Sequence, residues 1–214
     1  VPNGVDPFYE TKPTKIEINN VLKKFNINPN NPILFFTGNH TSNKGLDTIK
    51  ELSRFLNIKS TILIGGKLLN QEEPKLFCQG LNNKNLNIIF TDFLSLSEQR
   101  AIYNIASILL FPSKSDTLPL TIIEAMACSL PVVAFDVGGI SFLLNKDCGY
   151  LINPNNTKKY LETITKLLKN KFELEKTSNK ALARQKKLFS WTKAGSKAKK
   201  IYETLMVNTS IPKD

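Results

Sequence analysis

Residues 113–139 read SKSDTLPLTIIEAMACSLPVVAFDVGG, and their reading decides the fold. The apolar run 107–111 just before them predicts a buried strand and 113–118 a polar loop. Residues 119–126 then predict the opening of a helix, and the β-branched run 131–135 a second buried strand that breaks at Gly138 and Gly139. Two acids, Asp116 and Glu124, stand eight positions apart across the loop–helix junction. Asp116 falls in the loop off a strand end and Glu124 one to two turns into the helix, so both can face one crevice at the carboxyl edge of a parallel sheet. The first helical amides, those of Leu120 and Thr121, lie at a helix N-terminus, where a phosphate is favoured.

Working outward, the pattern repeats. Residues 33–37 form a first buried strand, ended by Gly38. The loop Gly38-Asn39-His40-Thr41-Ser42-Asn43-Lys44-Gly45 then leads into a helix ending near Asn57. A loop and helix start after the first strand is where a doubly wound fold binds phosphate, and Lys44 supplies a compact positive charge there. His40, the single histidine, is expected either to bond a phosphate or simply to lie in the loop. Strands follow at 61–64, closed by Gly65-Gly66, a turn that admits close backbone approach of a ligand, and at 86–90, closed by Thr91-Asp92-Phe93. Helices are predicted at 14–25, 72–80 and 95–104; Ser95 with Glu98 three residues on reads as a capping box. A short last strand at 149–152 precedes helices at 157–168, 173–189 and 191–205, with Trp191 and Tyr202 expected to anchor them.

At Asp116, seven residues, Glu124, Ala125-Met126-Ala127 and Pro131-Val132-Val133 the chain resembles the retaining glycosyltransferases called glycosyl transferases group 1. The resemblance implies an α/β, Rossmann-like, doubly wound parallel sheet of about six strands, the C-terminal half of a GT-B fold. It implies residues 1–13 as an interdomain linker, 14–190 as the nucleotide-sugar-binding domain, and 191–214 as a helix packing back on an N-terminal domain. It implies Lys44 on the donor diphosphate, Asp116 on a sugar hydroxyl and Glu124 on the ribose. Gly38, Asn39, Leu120 and Thr121 would lie around the phosphates, and Gly65 and Phe93 beside the base. The family more often carries Glu at the first acid, followed by Gly-Phe-Gly where this chain has Thr117-Leu118-Pro119. It also has Arg at position 39, often Gly at 92, and Glu at 142, where Phe142 stands here. Pro119 has no amide hydrogen, so phosphate contacts fall on Leu120 and Thr121.

What the resemblance implies for function is transfer of a sugar from a UDP- or GDP-linked donor to a polysaccharide or lipid-linked acceptor, without a metal. Two alternatives stay open on the residues: a non-catalytic nucleotide-sugar-binding module and a sugar-nucleotide epimerase domain.

Composition sets the outer bounds. The 214 residues are 41% hydrophobic and 22% charged, enough for one α/β domain with a sizeable core. No apolar run approaches the roughly 20 residues of a membrane span and no signal peptide opens the chain, which points to a cytoplasmic protein. Cys78, Cys128 and Cys148 are widely spaced and read as reduced core residues rather than a disulfide framework or a metal site. Charge is unevenly placed: residues 1–150 carry a balance of +1 and residues 151–214 a balance of +10. A solvated polar face or peripheral contact with an anionic membrane at its inner face both fit that basic third. No aromatic–basic interleaving accompanies it, so nucleic acid is not expected as a partner.

Overall fold

The computed structural model describes residues 1–154 and 156–208. The strands are β1 (Ile33–Thr37), β2 (Ser60–Gly65), β3 (Leu86–Asp92), β4 (Ile108–Phe111), β5 (Val132–Phe135) and β6 (Tyr150–Ile152). They form one six-stranded sheet in the order β3-β2-β1-β4-β5-β6, every neighbouring pair parallel. The order reverses between β1 and β4, and loops leaving the carboxyl ends on either side of that point open a crevice.

Helices cover both faces, which is why β4 and β5 read as unbroken apolar runs rather than alternating ones. The helices are α1 (Lys15–Lys24), α2 (Leu46–Phe55), α3 (Glu73–Cys78), α4 (Leu96–Ile105), α5 (Leu120–Ala127), α6 (Ile140–Leu143), α7 (Thr157–Leu168), α8 (Lys171–Leu188) and α9 (Trp191–Asn208). On one face Phe35, Leu63, Leu109 and Val132 pack with residues of α1, α4, α5 and α8; on the other Leu34, Phe36, Ile62, Leu110 and Val133 pack with α2, α3 and α7. Successive strand residues thus feed opposite cores.

Local signals set the helix starts. Thr14 and Ser95 each accept from the N3 amide while Glu17 and Glu98 reach back, two complete capping boxes. Glu17 is tied in further by Ser97 and Arg100. Hydrogen bonds from Thr14 and then Ser97, followed by the charge of Arg100, hold its carboxyl down at about 2.

Residues 1–13 lie against the domain. Val5 donates to the Phe189 carbonyl at 3.0 Å, Tyr9 is buried, and the Arg100 guanidinium donates to Thr11 and the Phe8 carbonyl while stacking on the Phe8 ring. A 3-10 turn at Pro7–Glu10 and the short α6 were not expected from the sequence. Cys148 is buried and Cys128 half-buried, but Cys78 at the end of α3 is exposed, because that six-residue helix buries only Glu73 and Phe77. Among the described residues no helix is long and apolar enough to cross a membrane. The last six residues of the expected C-terminal segment, 209–214, lie outside the described residues.

Candidate functional site

The crevice is built by glycines that let loops meet. Gly45 has φ 84°, and a Cβ there would sit 2.1 Å from the Pro112 carbonyl oxygen. The loop after β1 therefore lies directly on the loop after β4. Lys114 donates its amide to the Asn43 carbonyl at 2.8 Å. From the far side, Gly138 has φ 52° and no room for a Cβ, which would fall 1.8 Å from the Asp116 carbonyl oxygen; at Gly139 the same atom would meet Thr117. The Asp116 backbone is thus held between two neighbouring turns. Gly38, by contrast, faces open space.

Charge is placed on that frame. Lys44 Nζ donates to Asp116 Oδ2 at 2.7 Å, with 32% and 15% of the two side chains exposed. Ser113 Oγ also donates to Asp116 Oδ2, at 3.2 Å. Beside them α5 begins after Pro119, which offers no side-chain cap, so the first amides of the helix are left for another acceptor.

Glu124 looks toward α4. Its Oε2 accepts from Tyr103 Oη at 3.1 Å and from Gln99 Nε2 at 3.3 Å, and Gln99 also donates to Tyr103 Oη at 2.9 Å. Burial pushes the Glu124 carboxyl above its ordinary range; the Tyr103 hydrogen bond opposes this and the charge of Asp6 adds to it. Tyr103 is itself buried among Tyr9 and Phe35, so the carboxylate is oriented by a rigid aromatic.

At the ends of β2 and β3 the glycines serve packing. Gly65 is enclosed by Leu94 and Phe35, and its carbonyl accepts from the Gly38 amide at 3.1 Å; a Cβ on Gly66, φ 132°, would sit 2.0 Å from the Gly38 carbonyl oxygen. Asp92 has φ 55°, a conformation Asp tolerates when its side chain bonds locally, and it accepts from the Leu68 amide at 3.1 Å. That left-handed backbone is why a glycine is at home at this position. Phe93 projects with 78% of its surface exposed. Asn39 is exposed at the mouth.

The profile of the family described as glycosyl transferases group 1 matches residues 17–186. The chain belongs to that family. An uncharacterised glycosyltransferase of Methanocaldococcus jannaschii is 29% identical over 171 residues, 79% of this chain and 47% of the relative. The sulfoquinovosyl transferase of Arabidopsis thaliana is 27% identical over 82% of this chain and 34% of its own length. The chain therefore spans about half or less of these relatives. Among solved structures, sucrose-phosphate synthase from Thermosynechococcus elongatus superposes with a TM-score of 0.82 at 20% identity, over 98% of this chain and 53% of the other. Anabaena HepE in complex with UDP-glucose superposes at 0.78 and 19% identity, over 95% and 56%. At such identities the likeness is one of fold, the Rossmann-like half of a GT-B glycosyltransferase.

Within this group 1 domain the structure joins Lys44 to Asp116 directly and places Leu120, Thr121 and Glu124 on one helix beside them. His40 does not reach the crevice: its ring is sealed beneath the loop, against Gly65 and Glu73. Trp191 and Tyr202 do not anchor their helix; they are 54% and 68% exposed. Phe142 is exposed on α6 and edges onto Phe189. Gln99, Tyr103 and Ser113 were not singled out in the sequence. The first two lie four apart on one face of α4, a spacing that signals only helix packing until α5 is laid across it. Among the described residues no group of three or more His, Cys, Asp or Glu is arranged to hold a metal ion. A groove of about 760 Å³ runs along the open sheet edge between β6, α7 and α8; its lining includes none of these crevice residues.

Proposed function

We propose that this domain is the donor half of a retaining glycosyltransferase, taking a UDP- or GDP-linked sugar and passing it to a polysaccharide or lipid-linked acceptor held by an N-terminal half. The observation that carries the reading is the Lys44–Asp116 ion pair, drawn across two loops at the switch point of the sheet and set beside the uncapped start of α5. As the leaving diphosphate gains charge, the Lys44 ammonium and the Leu120 and Thr121 amides are the groups that meet it. Lys44 exchanges Asp116 for phosphate on donor binding, which frees the Asp116 carboxylate to accept from a hydroxyl of the donor sugar. Glu124, already oriented by Tyr103 and Gln99, accepts from the vicinal ribose hydroxyls. The UDP and UDP-glucose carried by HepE, a structure of the same fold, are in keeping with this choice of donor. The exposed apolar residues of α9 suit docking on the N-terminal half, with its lysines left for solvent or an anionic membrane surface.

Titration with UDP, GDP and ADP by calorimetry tests the reading, with Glu124→Ala as control. One nucleotide is expected to bind, and the variant to lose it. Equal binding by parent and variant would sink the assignment.

A second reading is favoured by one observation. Asn39, exposed and uncharged, stands where the family resemblance would put a further cation, and Lys44 is paired with Asp116. A non-catalytic nucleotide-sugar-binding module is the class that fits. Donor affinity in the full-length protein indifferent to Glu124→Ala would favour it.

A further inference from the structure

Two titratable groups lie buried beneath the crevice and take no part in the roles above. His40, two residues past the end of the β1 glycine turn, has a side chain 0% exposed, and Glu73 at the start of α3 is only 9% exposed. A histidine in a polar loop is ordinarily wetted, so its enclosure at a sheet edge calls for partners. His40 Nε2 lies 3.3 Å from the Gly65 carbonyl oxygen. Nδ1 lies 3.0 Å from Glu73 Oε1, off the ideal hydrogen-bond line, and among the described residues neither atom has another hydrogen-bonding partner. The ring is held edge-on to Phe90 at 5.7 Å, with Phe36 tilted against it at 6.4 Å.

A carbonyl oxygen only accepts, so Nε2 carries hydrogen. Nδ1 is left facing Glu73 Oε1 across 3.0 Å, both atoms enclosed by protein. The junction is therefore complete only with both residues present.

We propose that His40 and Glu73 form a buried clasp that positions the turn 38–45 for the diphosphate of a nucleotide sugar; the role rests on the donor-site reading above. Three segments meet at the clasp. His40 belongs to the turn carrying Lys44. Gly65 ends β2, and the following Gly66 has no side chain because a Cβ would press on Gly38 and lie 3.2 Å from His40 Nε2. Glu73 uses its second oxygen to accept from the Leu69 amide at 2.7 Å, which fixes the connection between β2 and α3. The path from clasp to cation is short. Thr41 donates to the Asn39 carbonyl at 2.9 Å, and the Thr41 carbonyl accepts from the Lys44 amide at 3.1 Å. Neither His40 nor Glu73 touches the crevice, so both are positioning residues.

The test uses His40→Leu, which removes both ring contacts, and His40→Gln, whose carboxamide nitrogen can still donate to Gly65 or Glu73. Amide exchange is followed at residues 38–46 and 66–70, with 120–127 as internal reference, and UDP and GDP affinities are measured by calorimetry. His40→Leu is expected to speed exchange in the two loops by about tenfold or more and leave 120–127 unchanged, with nucleotide affinity falling by a similar factor. His40→Gln is expected to recover most of both. Should His40→Leu fail to fold, Glu73→Gln, which keeps an acceptor for Leu69, is expected to give the same loop-confined pattern. Unchanged exchange in the loops, or a rise spread evenly over the chain, overturns the clasp. Loop-confined exchange in a parent that binds neither nucleotide supports the clasp and overturns the donor-site reading instead.

Discussion

The crevice loops and helix α9 are opposites in how their charges are used. In the crevice, Lys44 meets Asp116 and Lys114 meets Asp47 across elements far apart in the chain, and glycines bring the backbones together. On α9 the lysines stand on a helix whose apolar residues, Ile201, Tyr202, Leu205 and Met206, are as exposed as its charges. In the crevice charge ties separate elements together, whereas on α9 the Lys199–Glu203 pair lies within one exposed helix. Net charge therefore locates surface and not site.

That contrast can be broken most sharply at Gly138. Replacing it by Val puts a Cβ against the Asp116 carbonyl and strains a left-handed backbone, so a loss of about 3 kcal/mol or more is expected in denaturant unfolding, together with nucleotide binding. Next comes Lys44→Ala. Calorimetry is expected to show at least about a tenfold loss of nucleotide affinity, while stability falls by less than about 1 kcal/mol because the pair is partly solvated. A variant that lost stability but kept affinity would make the pair merely structural.

Glu124→Gln separates function from stability at one residue. The folded carboxyl is raised, so the folded state holds its proton more tightly than the unfolded one. The stabilisation this brings is full below the unfolded value of 4.5 and is lost as pH rises through the folded one. The variant is expected to melt at or above the parent temperature at pH 7, to converge with the parent near pH 4, and to bind nucleotide more weakly throughout. A lower melting temperature at pH 7 would contradict the assignment. Glu17 has the opposite sign: its carboxyl is lowered to about 2 from 4.5, so its contribution is present above 4.5 and fades as pH falls toward 2. Melting temperatures between pH 5 and 2 should fall less steeply in Glu17→Gln than in the parent. Smallest of all, a chain ending at Gly195 should unfold within about 0.5 kcal/mol of the parent, since Ile201, Tyr202, Leu205 and Met206 are exposed; a larger loss would mean that the helix packs on the domain after all.

Much of this was legible beforehand. The strand at Ile33–Thr37 and the helix at Thr157–Leu168 stand where the residue pattern puts them, because a continuous apolar run and a capped 3.6-residue period each answer to local chemistry. The acids at 116 and 124 were visible through their spacing. Hidden were Gln99 and Tyr103, whose meaning depends on α5 crossing α4, and the enclosure of His40, which depends on Glu73 from a helix 33 residues away. Trp191 and Tyr202 misled, because an aromatic on an amphipathic helix signals an apolar face without saying whether anything in this chain covers it.

The sequence by itself determined the order of strands and helices, the acids and lysine of the crevice, and the uncapped start of α5, since each follows from neighbours within one or two turns. Only the tertiary structure decided that Lys44 pairs with Asp116, that Glu124 is set by Tyr103, and that the lone histidine is sealed beneath the loop. Those outcomes turn on a parallel sheet bringing the carboxyl ends of non-consecutive strands side by side, and no local propensity encodes how close two such loops will come.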